Sequence, residues 1–237
     1  MTQDSKYGNA NVTSHIRAAL VYRYDDSGES GRELITLIAD DSGQRTVHAH
    51  CELDDVSLTR EASINYGPGF VAQDGYIYMR QNGKFLGSGW YRFGKDRIVL
   101  EAETATDGRV KQKMDFDEPI GVFAPHPVFL DGWHATRHDP NGPATQYLQN
   151  CITSSPLWHG GSGPLICVQN RRLERIQDTE ITVPAGTFDC ESYKLIPAAP
   201  GLPPIQFWVH GPHKLFVKLR WDHLHATYEL NDLIVIR

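Results

Sequence analysis

Along most of this chain hydrophobic and polar residues alternate with a period of two. From Ile16 onward, Ile16, Ala18, Leu20, Tyr22 and Tyr24 share one parity while Arg17, Ala19, Val21 and Arg23 take the other, the pattern of a half-buried strand. The polar stretch DDSGESG turns the chain into RELITLIAD, and DSGQ turns it again into RTVHAHCEL, which predicts three consecutive strands. The clearest segment runs from Asp74 to Phe116. There YIYMRQ and KFLGSGWYRF flank Asn82-Gly83, the dipeptide best suited to a type I′ hairpin turn with both central residues at positive φ. Gly94-Lys95-Asp96 and Thr106-Asp107-Gly108 then set off RIVLEAETA and RVKQKMDF, completing a meander of neighbouring antiparallel strands.

Between Asp117 and Pro164 the alternation stops. PHPVFLDGWHATRHDPNGP and SSPLWHGGSGP are rich in Pro, Gly, His and Trp, and a stretch of this length without its own sheet reads as a lid or binding loop. Val128 to His138, with Pro127 near its first turn, is the one candidate for a short helix. Strands resume in LICVQNRRLERIQDTEITV, FDCESYKLI, IQFWVH, KLFVKLRWDHLHATYEL and a final LIVIR. No fixed-period repeat and no low-complexity linker divides the chain. The expectation is therefore a single all-β domain: a curled antiparallel sheet or barrel with an amino-terminal meander (14–116), a lid insertion (117–164) and carboxyl-terminal strands (165–237).

Residues Val183 to Asp189 read VPAGTFD, lie between RRLERIQDTEIT and CESYKLI, and are followed by IQFWVHGPHKLFVKLRW and TYEL. This stretch resembles a bacterial family of unknown function in which a V-P-A-G-T-F turn joins two sheet strands and the next strand carries a Trp. Pro184 and Gly186 set such a turn, and Phe188 leads back toward the core. The resemblance covers roughly the last quarter of the chain. It implies a curled sheet similar to the half-barrels of bacterial lipoprotein carriers, which hold acyl chains in an apolar groove; it carries no catalytic residues across.

Composition narrows the partners. A net charge of −6 leaves no global positive field for a nucleic-acid backbone or an anionic bilayer, so small molecules or proteins are the expected partners. No apolar run is long enough to span a membrane, and Met1 to Ala10 show no cationic segment leading into an apolar one. Cys51, Cys151, Cys167 and Cys190 are far apart and form no C-x-x-C pair, which reads as reduced, mostly buried thiols in a cytoplasmic protein. Nothing in the sequence argues for or against an oligomer.

The candidate chemistry is histidine beside tryptophan. Leu215, Val217, Leu219 and Trp221 share a face that continues into His223 and His225. Without a bulge both imidazoles face the concave side, as acid and base or as contacts for a ligand's polar end; if the strand leaves the core near Asp222 they lie at the rim. His48 and His50 form a second H-x-H, but Val47, Ala49, Cys51 and Leu53 make the apolar side, which sends these histidines to solvent. In the insertion, Asp131, His134 and His138 fall on one face if the segment is helical, a spacing that suits an Asp-His pair. The Glu of H-E-x-x-H is lacking, and a metal site is not expected.

Trp133 and Trp158, each followed by a histidine (His134 and His159), are candidates to cover an aromatic ligand. Tyr78, Trp90, Trp208, His210 and Trp221 on predicted strands complete the candidate ligand contacts, although sheet aromatics are commonly core or cross-strand pairs. HGGSGP lacks the Lys-Ser/Thr of a phosphate loop, and no G-x-S-x-G is present. Two functions follow. One is an acid-base enzyme of lyase or isomerase type, needing no organic cofactor, in which Asp131, His134, His223 and His225 act on an apolar or aromatic small molecule. The other is a binding protein that holds a hydrophobic ligand or lipid unchanged.

Overall fold

In the computed structural model, residues 11–198 and 203–237 are described; Met1–Ala10, on which the expectation about a secretory signal rests, lie outside them. The alternating segments become strands almost without exception. The meander comprises β1 (Val12–Tyr24), β2 (Gly28–Asp40), β3 (Arg45–Leu53), β4 (Leu58–Gly67), β5 (Val71–Gln81), β6 (Lys84–Phe93), β7 (Arg97–Thr104) and β8 (Gly108–Asp115). Asn82 and Gly83 have φ of 52° and 72°, so the β5–β6 hairpin turns as its dipeptide requires. On the carboxyl-terminal side, β12 (Arg171–Val183) and β13 (Gly186–Pro197) pair through Val183 and Gly186, leaving Pro184-Ala185 as a two-residue turn. The strands β14 (Ile205–His210), β15 (Leu215–Trp221) and β16 (Ala226–Val235) complete that half.

Within and just after the insertion lie β9 (Thr145–Leu148), β10 (Ile152–Thr153) and β11 (Cys167–Val168), the last two paired with each other. Fourteen strands form one antiparallel sheet in the order β8-β7-β6-β5-β4-β3-β2-β1-β16-β15-β14-β13-β12-β9. The two halves join where β1 pairs with β16, with Leu20 opposite Leu230 and Tyr22 opposite Tyr228. β8 and β9 are its two edges, so the sheet curls without closing. One face carries the core: Ile16, Leu20, Ile35, Leu37, Val47, Ile64, Ile77 and Leu100 are all buried on the parity the alternation assigns.

The insertion lies against that concave face. Val122, Phe123, Ala124, Phe129, Leu130 and Trp133 are buried and belong to the same core as the strands. Its helical segment is one turn of α-helix, α1 (Val128–Asp131), continued as a 3-10 helix over Gly132–Arg137, with Pro127 at the N-cap. Four side chains from three strands of the meander hold it and the residue that follows it. Glu33 accepts hydrogen bonds from the backbone N–H of Val128 and Phe129 at 2.8 and 3.1 Å. Tyr66 donates to the Phe123 carbonyl at 2.7 Å, and Tyr91 donates to that of Leu165 at 2.8 Å. Arg60 donates to the carbonyls of His126 and His159, at 3.2 and 2.7 Å. No helix among the described residues is long and apolar enough to cross a membrane.

Candidate functional site

Where the insertion meets the last strands, it leaves a cavity of about 660 Å³. The sheet contributes Tyr22 from β1, Arg60 from β4, Arg171 from β12, Trp221 from β15 and Tyr228 from β16. The insertion contributes His126, Asp131, His134, Trp158 and His159. Trp158 is 43% exposed and stands edge-on to Trp221, with ring centroids 6.1 Å apart, so the two indoles frame the mouth.

The polar groups on this wall are unusual for a sheet interior. Asp131 closes α1, and burial raises its carboxyl from the ordinary 3.8 to about 7, against the opposing pull of Arg171. Its side chain has no hydrogen-bond donor among the described residues. Three residues on, the Nδ1–H of His134 donates to the Asp131 backbone carbonyl at 2.9 Å. That bond fixes the tautomer and leaves the Nε2 lone pair free. Burial lowers this imidazole to about 4, so it is neutral near pH 7. His126 is likewise neutral, lowered to about 3 by burial and by Arg60; its ring bonds Ser154 at 3.0 Å and the Leu157 carbonyl at 2.9 Å. It holds a left-handed backbone, φ 72°, in a segment that Arg60 clamps.

Arg60 is 1% exposed and bonds only backbone carbonyls, with its Nε unpartnered. Gly160, at φ 74°, packs so closely on this guanidinium that a Cβ there would overlap Nη2. Glu33, two strands away in the row Glu33–Cys51–Arg60, is fully buried; burial raises its carboxyl, while Tyr22 and the two insertion amides hydrogen-bond to it. Gly31 makes room for the Tyr22 ring, since a Cβ there would meet it at 3.0 Å and overlap the Glu52 carbonyl.

The sequence-predicted residues divide clearly. Asp131, His134, Trp158, His159, Trp221 and His223 all line this cavity, His223 as an exposed residue at the rim. His225 does not: a 3-10 turn over Asp222–Leu224 ends the β15 alternation, and His225 sits exposed at φ 49°. The expected shared face of Asp131, His134 and His138 holds for the first pair only. His138 is past the helix end in extended backbone, bonding the Ala144 carbonyl at 3.2 Å and packing on Tyr193.

Trp133 is core rather than cover, 1% exposed, packed on Tyr66 and Phe70 and donating to the His213 carbonyl at 3.1 Å. Tyr78, Trp90 and Trp208 alternate with buried neighbours and take the outer face. Tyr78 lies beside Phe85, and Trp90 is 49% exposed beneath the Arg92 guanidinium. His210 bonds the Asp189 carbonyl at 2.7 Å, away from the cavity. His48 and His50 also face outward, as their parity predicts; His50 bridges Glu61 and Glu52 at 2.6 and 3.1 Å. Among the described residues no cluster of three metal-ligating side chains occurs.

Sequence reasoning passed over Glu33, Arg60, Arg171 and His126. For the first two a signal exists: each is a charge on an otherwise apolar parity, Glu33 with Ile35 and Leu37, and Arg60 with Leu58, Ala62 and Ile64.

No family model and no curated protein matches the chain. Among solved structures it is similar to a β-barrel-like protein of domain of unknown function DUF1849 from Brucella abortus. The match has a TM-score of 0.60 at 9% identity and covers 94% of this chain and 98% of that one. The likeness is one of fold. A protein with a YmcC-like fold from Bacteroides fragilis is matched over 93% of this chain and 94% of its own, at 13% identity; its TM-score of 0.25 carries no structural argument.

Proposed function

We propose that this protein is a small-molecule pocket protein whose cavity performs acid-base chemistry, of lyase or isomerase type, on a ligand with an apolar or aromatic body. One observation carries the reading: the neighbouring Asp131 and His134 line a single cavity with their carboxyl and Nε2 unengaged among the described residues. A carboxyl with a pKa of about 7 is half protonated near neutrality and can both give and take a proton. A neutral imidazole with Nδ1 committed to a carbonyl presents Nε2 as a base. Together they can move a proton between two positions of a bound molecule, the elementary step of a double-bond shift or an elimination. His223 at the rim is placed to meet a ligand's outer end, and Trp158 with Trp221 to cover its rings. Four free cysteines, three of them buried, accord with a reducing compartment such as the cytoplasm.

The second reading is a carrier that holds a hydrophobic ligand without changing it. The apolar wall supplied by Leu53, Val128, Leu195, Ile205 and Leu219 supports it, as does the resemblance of VPAGTFD to a family with carrier-like curled sheets. Native mass spectrometry of the purified chain, followed by incubation with a metabolite extract, separates the two. Acid-base catalysis predicts that the wild type converts a component of the extract, while Asp131→Asn and His134→Gln bind that component and return it unaltered. A wild type that returns every bound compound unaltered would sink the catalytic reading and leave the carrier.

A further inference from the structure

Around the cavity three donors have no acceptor among the described residues, and that of Arg171 is the one open to a ligand. Arg171 opens β12, lines the cavity, and has neither a side-chain hydrogen bond nor an ion pair within 4.0 Å among the described residues. Arg60 engages two of its five N–H groups, both with neutral backbone carbonyls, and its buried Nε has no partner. The buried Nε1 of Trp221 is unpartnered as well. Carboxylates are the acceptors that could neutralise them, and only Asp55 and Asp131 line the cavity, with Glu33 behind its wall. Glu33 is occupied by Tyr22 and two amides, and Asp55 stands exposed and takes the Tyr24 hydroxyl at 3.0 Å. Asp131, the remaining carboxyl, makes no ion pair with Arg171 within 4.0 Å.

Arg171 is half-buried with no fixed acceptor, and an acceptor-only group entering the cavity would pair with it where the surrounding wall limits screening by water. A carboxylate has that chemistry, presenting two oxygens in the geometry of the guanidinium fork. A neutral hydroxyl or ester would leave the charge uncompensated.

We propose that the ligand is an apolar or aromatic carboxylic acid, its carboxylate received by the Arg171 guanidinium and its hydrocarbon body lying against Trp158 and Trp221. Arg60 adds a second fixed positive charge to the same wall. This deepens the pocket reading and rests on it, since it names the ligand class of that cavity.

The test is isothermal titration of the intact chain with naphthalene-2-carboxylate and with 2-naphthylmethanol, which share the ring and differ in the polar end. The acid should bind about tenfold or more tighter than the alcohol, the margin expected of a charge-assisted pair. Arg171→Gln should abolish that preference while leaving the alcohol within about twofold, and Arg171→Lys should restore part of it. Trp158→Ala should weaken both probes alike. Equal binding of acid and alcohol by the wild type, or equal weakening of both by Arg171→Gln, overturns the carboxylate assignment and leaves the pocket standing. If neither probe binds at millimolar concentration, the pocket reading falls with it. The wild-type comparison decides the matter even if an Arg171 variant fails to fold.

Discussion

Asp131 and Glu33 show how a single carboxyl couples this fold to pH and to its own insertion. Asp131 is raised from 3.8 to about 7, so between those values the native protein holds a proton that the unfolded chain has released. Stability from this group is therefore complete below about pH 4 and lost as pH rises toward 7. Asp131→Asn should be more stable than wild type at pH 8, by on the order of a few kcal/mol, with the difference vanishing near pH 4. Urea denaturation of both proteins across that range checks it, and parallel curves would show that Asp131 does not hold its proton. His134 works in the opposite sense: lowered to about 4, it contributes stability that is present above its ordinary 6.5 and lost as pH falls through 4. Glu33 receives three donors that no other residue could satisfy, so Glu33→Ala should cost roughly 3–5 kcal/mol in denaturant unfolding, while Tyr22→Phe costs about 1 kcal/mol. At this scale the sequence was partly legible. The Asp131-His134 spacing leads to the cavity, and so does Trp158-His159. Glu33 and Arg60 were visible as charges on an apolar parity, yet their partners come from 66 to 99 residues away, a separation that periodicity cannot bridge.

Individual elements were legible wherever backbone chemistry dictates them locally. Asn82-Gly83 turns because both residues tolerate positive φ, and Pro184-Ala185 turns between strands whose alternation continues on either side. The β15 alternation holds through Trp221, and of the two continuations the sequence leaves open the chain takes the exit near Asp222, where a 3-10 turn that nothing in WDHLHA announces takes His225 off the face. The insertion was recognisable as a break in the pattern, but its role was not. Its fixity depends on one guanidinium, since Arg60 clamps both His126 and His159 and Gly160 leaves that side chain its place. Gly160→Ala adds a Cβ where Arg60 lies and at a positive φ, so it should release the clamp. The expected signature is faster amide exchange across 154–163 with the β1–β5 ladder unchanged. Uniformly faster exchange, or none, would mean that the clamp is not what orders this loop.

Across the whole molecule, the feature hardest to read is the pairing of β1 with β16, which brings together strands some two hundred residues apart in sequence. Alternation says that both are strands and nothing about which neighbours they take; the meander is legible because its partners are consecutive. That long-range join has an energetic consequence. The insertion bonds to the meander through Tyr66 and Arg60, while Trp133 bonds His213 between β14 and β15 and β9 pairs with β12. His213 in turn bonds Ser14 of β1 at 2.8 Å. Neither half therefore buries its concave face without the insertion, and the insertion has no sheet of its own large enough to persist alone. The protein should unfold as one cooperative unit. Leu20→Ala in the meander and Leu195→Ala in the carboxyl-terminal strands, both buried on the concave face, should each cost roughly 2–5 kcal/mol. Each should shift the far-ultraviolet circular dichroism and tryptophan fluorescence transitions together. If Leu20→Ala moved the first transition and left the second in place, the two halves would be separate folding units, and the cavity between them would be held by docking alone.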